Sequence, residues 1–175
     1  MKRTVWLWQL CGFAVSSLLG TLLHFLYDWL GRSALVAPFS GTNESTFEHM
    51  KLLFWPMLLF AVIESFFFSE YEGFWQIKAK GTVIGLSLIP IIFYTYNGVI
   101  GKSPDFVNIA IFFVCAAFAY CYETKLLNKD SAYKQGGENR AKLLLVFVAL
   151  AFVIFTFKTP RIALFMDPIT RKYGI

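Results

Sequence analysis

Apolar runs long enough to cross a membrane recur along this chain, near residues 5–30, 52–69, 82–100, 106–122 and 143–157. A hydrocarbon core of roughly 30 Å takes about 20 helical residues, and backbone facing lipid must satisfy its own hydrogen bonds, which a helix does. The expectation is an all-α, polytopic integral membrane protein with five transmembrane helices forming a single domain over residues 1–175. A C-terminal tail, 159–175, is expected to dock on the side of the loop 31–51. Composition agrees: 57% of residues are hydrophobic, 15% are charged and 20 are Phe, which leaves little chain for a separate soluble domain.

The opening MKRTVWLWQLCGFAVSSLLG resembles a signal peptide, yet its apolar run continues to Leu30 without a small-residue cleavage site. It reads as a retained first span. Cys11, Cys115 and Cys121 fall inside spans with no CxxC spacing, so neither a disulfide framework nor a zinc knuckle is expected. With the N-terminus inside, Lys2, Arg3, Lys78, Lys80, Lys125, Lys129, Lys134, Arg140 and Lys142 are inner charges; the outer loops carry Arg32, Lys51 and Lys102. The positive-inside rule therefore favours N-in and C-out. The net charge of +5 reflects this bias and needs no nucleic-acid partner; the partners expected are the lipid bilayer and a second copy or another membrane protein.

Both histidines fall on the outer side. In HFLYDW, His24 and Asp28 are four apart and share a helix face. Two readings stay open: a mutually paired interfacial couple beside the aromatic belt of Tyr27 and Trp29, or functional groups facing the bundle interior. In TNESTFEHMKLLFWP, Ser45 to Glu48 has the form of a capping box, with Ser45 bonding the third helical amide and Glu48 reaching back. Glu44 and Glu48 also suit the positive end of the helix. A cap requires neither Asn43 nor His49. His24 and His49 with Asp28, Glu48 or Asp167 would supply two imidazoles and a carboxylate, a set able to hold zinc or another divalent metal with one position open.

Glu64, in FAVIESFFFS, lies about 18 Å along its helix from Leu52 at 1.5 Å per residue, past the bilayer centre. It would bond Ser65 or a tyrosine, or relay protons, with no second acidic residue expected on a path. Pro56 and Pro90 would kink their helices. The segment GRSALVAPFSGT, 31–42, would lie on the interface or dip into the bundle. Residues 123–142 read as a solvated loop, with Gly136 and Gly137 a flexible point. In the tail, Ile162, Leu164 and Phe165 suggest docking.

HFLYDW, NESTFEHMKLLFWPML, FYTYNGVIG and TPRIALFMDPITRKYGI together resemble the domain of unknown function 6512 family over nearly the whole chain. Where the family tends to have proline before LF and glycine after the threonine, this sequence has Ala163 and Arg171. The resemblance implies a small integral protein of a bacterial cytoplasmic membrane and supplies no activity. Its signature residues include His24, Asn43, Glu44, Ser45, Glu48, His49, Asp167 and Pro168.

Three classes of function fit. The first is a structural or accessory membrane protein with a polar ligand-binding cluster on the outer face. The second is a metal-dependent enzyme acting on a lipid or lipid-linked substrate, with the metal on His24 and His49, a general base in Glu44 or Glu48, and Arg161 or Lys158 on an anionic head group. The third is a small ion-coupled transporter using Glu64.

Overall fold

The protein is described here from a computed structural model, which covers residues 2–68, 71–101, 104–128 and 137–175. Its helices are α1 (Lys2–Trp29), α2 (Thr46–Ser65), α3 (Phe74–Ile100), α4 (Asp105–Leu127) and α5 (Gly137–Phe157), followed by a short 3-10 turn, Ala163–Phe165. All five are long and apolar enough to cross a membrane. Among the described residues the only β pairing is a single antiparallel bridge between Met166 and Tyr173. This is a multi-pass, all-helical membrane protein.

Four helix boundaries depart from the hydropathy reading in one direction. Helix α2 begins at Thr46 rather than 52, α3 at Phe74 rather than 82, and α5 at Gly137 rather than 143, while α4 continues to Leu127 rather than 122. The added turns carry Lys51, Lys78, Lys80, Glu123, Lys125, Arg140 and Lys142. Hydropathy scores these charges as loop, yet the helices run through them. Of the expected solvated loop 123–142, the described residues 123–127 and 137–142 are helix. Ser69, Lys102, Lys129, Lys134 and Gly136 lie outside the described residues. Helices α2 and α3 continue through Pro56 and Pro90.

Helix α2 is the central element: 61% of its spanning window is buried, against 17–39% for the other four. It packs on α1 and α3, α4 packs on α3 and α1, and α5 lies mainly on α3. Leu53, Phe54, Met57 and Phe60 of α2 meet Leu86 and Ile89 of α3, Ile111, Cys115 and Ala119 of α4, and Phe152 of α5. Small residues let α3 and α4 approach, as is usual where helices associate in lipid: a Cβ added at Gly85 would lie 3.1 Å from Ala119 Cβ. Leu7, Leu18, Phe118, Phe147 and Leu150 are exposed on the outside of the bundle, the position lipid would cover.

The segment 31–45 folds back against the bundle. Ala37, Pro38 and Ser40 are buried whereas Leu35 is exposed. Trp55 Nε1 donates to the Pro38 carbonyl (2.8 Å). The Ser40 hydroxyl donates to the Leu23 carbonyl (2.6 Å) and accepts the Tyr27 amide (2.8 Å). It thus sits between two groups that an α-helix otherwise joins directly.

Candidate functional site

The start of α2 organises the region. Ser45 is its N-cap, with Oγ accepting the Glu48 amide at 3.4 Å. The reciprocal bond of a capping box does not form. Asn43 Oδ1 accepts the Ser45 amide instead (2.9 Å), in an Asx turn. That releases Glu48 to point inward, where Oε2 accepts the Thr42 amide and pairs with Lys51 Nζ, both at 2.8 Å. Lys51, fully buried, also donates to the Ala37 carbonyl (2.8 Å) and to Thr156 Oγ1 (3.1 Å). Glu48 is therefore one half of a buried ion pair tying loop, α2 and α5 together, and it does not face the cavity as a general base must.

Glu44 remains, at the centre of the polar group. His24 Nε2 lies 3.5 Å from its Oε1, and His49 Nε2 lies 3.7 Å from its Oε2. The two imidazole centroids are 6.0 Å apart. His24 is set by α1 and by close passage of the loop, since a Cβ on Gly41 would come 3.3 Å from its Nδ1. His49 is set by Nδ1, which donates to the Ser45 carbonyl at 3.0 Å. A carbonyl can only accept, so the hydrogen of neutral His49 is on Nδ1 and its Nε2 lone pair faces Glu44. These three residues share the lining of a cavity of about 380 Å³ with Thr21, Phe25, Leu52, Ile109, Phe112, Phe113 and Ile169. Its walls are mostly apolar.

Asp28 is not part of that group. It is exposed and pairs with Arg32 Nε at 2.9 Å, and this hydrogen bond holds the Arg32 guanidinium above its ordinary value. The expected His24–Asp28 couple is thus replaced by an i,i+4 pair with the opposite charge, the cheaper arrangement at a water interface. Among the described residues, no group of three or more His, Cys, Asp or Glu side chains is placed to hold a metal ion.

The tail candidates have other partners. Asp167 Oδ1 accepts the Ile169 amide and Oδ2 accepts the Thr170 hydroxyl, each at 2.8 Å. Its carboxylate is used within its own turn, which closes through Asp167 and Lys172 backbone at 2.9 Å. Arg171 completes that turn at φ 60°, where glycine is the easy residue. Asn43 Nδ2 donates to the Gly174 carbonyl at 3.1 Å across 131 residues of sequence. Phe165 is buried with its ring 4.4 Å from Phe47, whereas Ile162 is exposed. Arg161 lines a separate cavity of about 510 Å³ with Thr159, Lys172 and Tyr173, and Lys158 lines neither cavity.

Glu64 has partners that the sequence reading did not give it. Gln9 Nε2 donates to its Oε1 (2.5 Å), and Lys78 Nζ lies 2.5 Å from its Oε2. The same Nζ is 2.5 Å from Glu123 Oε2 and donates to Gln9 Oε1 at 3.3 Å. Ser65 instead donates to the Val62 carbonyl. So a second acidic residue does accompany Glu64, correcting the expectation of none. The missed signal was facial: Lys78 continues the α3 face of Phe74, Gly81 and Gly85, and Glu123 follows Ala116, Ala119 and Tyr120 of α4, all buried.

No curated protein and no solved structure matches this chain. The model of the family described as Family of unknown function (DUF6512) matches residues 2–175. A match over essentially the whole five-helix chain, cap, imidazoles and tail included, means that the protein belongs to that family.

Proposed function

We propose that this is an accessory membrane protein that binds an amphiphile with one hydrocarbon chain at the end of the bundle formed by loop 31–45. The observation that carries this reading is the convergence of His24 and His49 on Glu44 within the lining of a mostly apolar cavity. The volume, about 380 Å³, falls in the range of small-molecule sites, which are mostly apolar with a few placed polar groups. The hydrocarbon chain lies against Phe25, Ile109, Phe112 and Phe113. Glu44 and the imidazoles take a head group bearing hydroxyl or amine hydrogens. Docking of the tail over this end is supported by the Asn43–Gly174 bond and by Ile169 in the cavity wall. In this reading the N-terminus is inside, as the Lys and Arg balance favours, and the site faces outward from a bacterial cytoplasmic membrane, the membrane that the family resemblance implies.

The test is native mass spectrometry of protein purified in mild detergent, with extraction of what it carries. One amphiphile per chain is expected. Thr21→Trp, which fills the cavity from the exposed side of α1, should lower occupancy at least about tenfold. Protein that carries no amphiphile and takes none from added lipid refutes the proposal.

A second reading, a metal-dependent enzyme acting on a lipid, draws on the tautomer of His49. A bare Nε2 facing a carboxylate oxygen across 3.7 Å is a gap that a proton or a cation bridges. Metal analysis separates the two: near-stoichiometric metal, lost in both His24→Ala and His49→Ala, favours the enzyme, and metal-free wild-type protein removes it.

A further inference from the structure

We propose that Glu64, Lys78 and Glu123 form a binding site for one exchangeable proton, buried near the other end of the bundle. Glu64 lies 16 residues beyond Glu48 on α2, about 24 Å along the helix axis, so this site is separate from the histidine group. It stands independently of the amphiphile reading.

The case rests on counting charges and donors. The groups facing one another are Gln9 from α1, Glu64 from α2, Lys78 from α3, and Tyr120 and Glu123 from α4. Glu64, Lys78 and Glu123 are at most 2% exposed. One ammonium against two carboxylates leaves a net negative charge, and burying an uncompensated charge inside a membrane is strongly unfavourable. The Lys51–Glu48 pair, by contrast, is balanced one to one. A single proton makes the inner cluster neutral.

Donor geometry says where that proton rests. Lys78 donates to Glu123 Oε2 and Gln9 Oε1 and lies in an ion pair 2.5 Å from Glu64 Oε2, and Gln9 Nε2 donates to Glu64 Oε1. Two of the four carboxylate oxygens therefore accept a hydrogen bond, and a third, Glu64 Oε2, has the ammonium beside it without one. The fourth, Glu123 Oε1, is buried and has neither a hydrogen bond nor an ion-pair contact. Tyr120 does not supply one, because its hydroxyl is bonded to Ser16 Oγ at 2.7 Å. An orphaned buried acceptor is rare in folded proteins, and protonation at Glu123 removes the charge that makes this one costly. Both carboxylates share Lys78, so protonating either leaves the other as its counter-ion. A mostly apolar cavity of about 130 Å³, lined by Trp6, Leu10, Phe13 and Ala117 among others, reaches Gln9 and Tyr120 at the edge of the cluster.

Infrared spectroscopy of the full chain in lipid nanodiscs reads the proton directly, as the carbonyl stretch of a neutral carboxylic acid. At neutral pH the wild type should show one such group per chain. Glu123→Gln and Glu64→Gln should each abolish it, since one carboxylate then balances one lysine, and Lys78→Met should double it. The band should also shift on transfer to D₂O. The proposal is overturned by a wild type without the band, by a band that persists in both glutamine variants, or by one that stays unshifted in D₂O. The wild-type and solvent-exchange measurements stand even where a variant fails to fold.

Discussion

Lys51→Met isolates what the buried lysine at the start of α2 contributes. The substitution keeps the apolar stem and removes the ammonium, leaving Glu48 buried with only the Thr42 amide and depriving the Ala37 carbonyl of its donor. Removing one partner of a buried, hydrogen-bonded ion pair costs about 3–5 kcal/mol, or roughly two to four powers of ten in the folded-to-unfolded ratio. The assay is reversible unfolding in mixed micelles followed by tryptophan fluorescence, to which Trp55, bonded to the neighbouring Pro38 carbonyl, is well placed to respond. The double variant Glu48→Leu/Lys51→Met removes the stranded charge and should recover at least about 1–2 kcal/mol over the single change. Asp28→Asn breaks an ion pair of the same chemistry at the water interface and should leave the midpoint unchanged. A Lys51→Met protein within about 1 kcal/mol of wild type, or a double variant no better than the single, refutes the assignment of this pair as a stabilising lock.

Two further changes test the local geometry. Arg171→Gly should raise stability by several tenths of a kcal/mol, roughly, because a left-handed backbone costs a non-glycine residue about 1–2 kcal/mol and glycine returns part of that gain as entropy; a lower thermal midpoint would contradict the strain seen at φ 60°. Gly81→Ala should destabilise by about 1–3 kcal/mol, because its Cβ would overlap the Glu123 side chain, and an unchanged midpoint would mean that α3 and α4 are less tightly apposed there.

The apolar length of the helices and the Ser45 cap were legible because each rests on local pattern: a run of side chains, or a hydroxyl three residues before a glutamate. The gathering of His24, Glu44 and His49 at one end was legible too, since consecutive spans alternate direction. The paired charges were not. Lys51, Lys78 and Glu123 each look like the edge of a loop, because a hydropathy scale prices a charge as though it were alone. Their burial depends on ion-pair partners 3 to 45 residues away in sequence, from Lys51 with Glu48 to Lys78 with Glu123. Asp167 misled in the opposite sense: as a carboxylate beside proline it suggested a ligand, whereas a turn needs the same residue for its own amides.

The Ser40 hydroxyl spliced into the backbone ladder of α1 has a mechanical consequence. The turn of that helix between Leu23 and Tyr27 routes one of its ladder hydrogen bonds through the loop, so the loop cannot lift from this turn without leaving the Tyr27 amide and the Leu23 carbonyl to find other partners. His24 stands on that turn and Glu44 on the loop segment, so the Ser40 bonds help to set the distance between them.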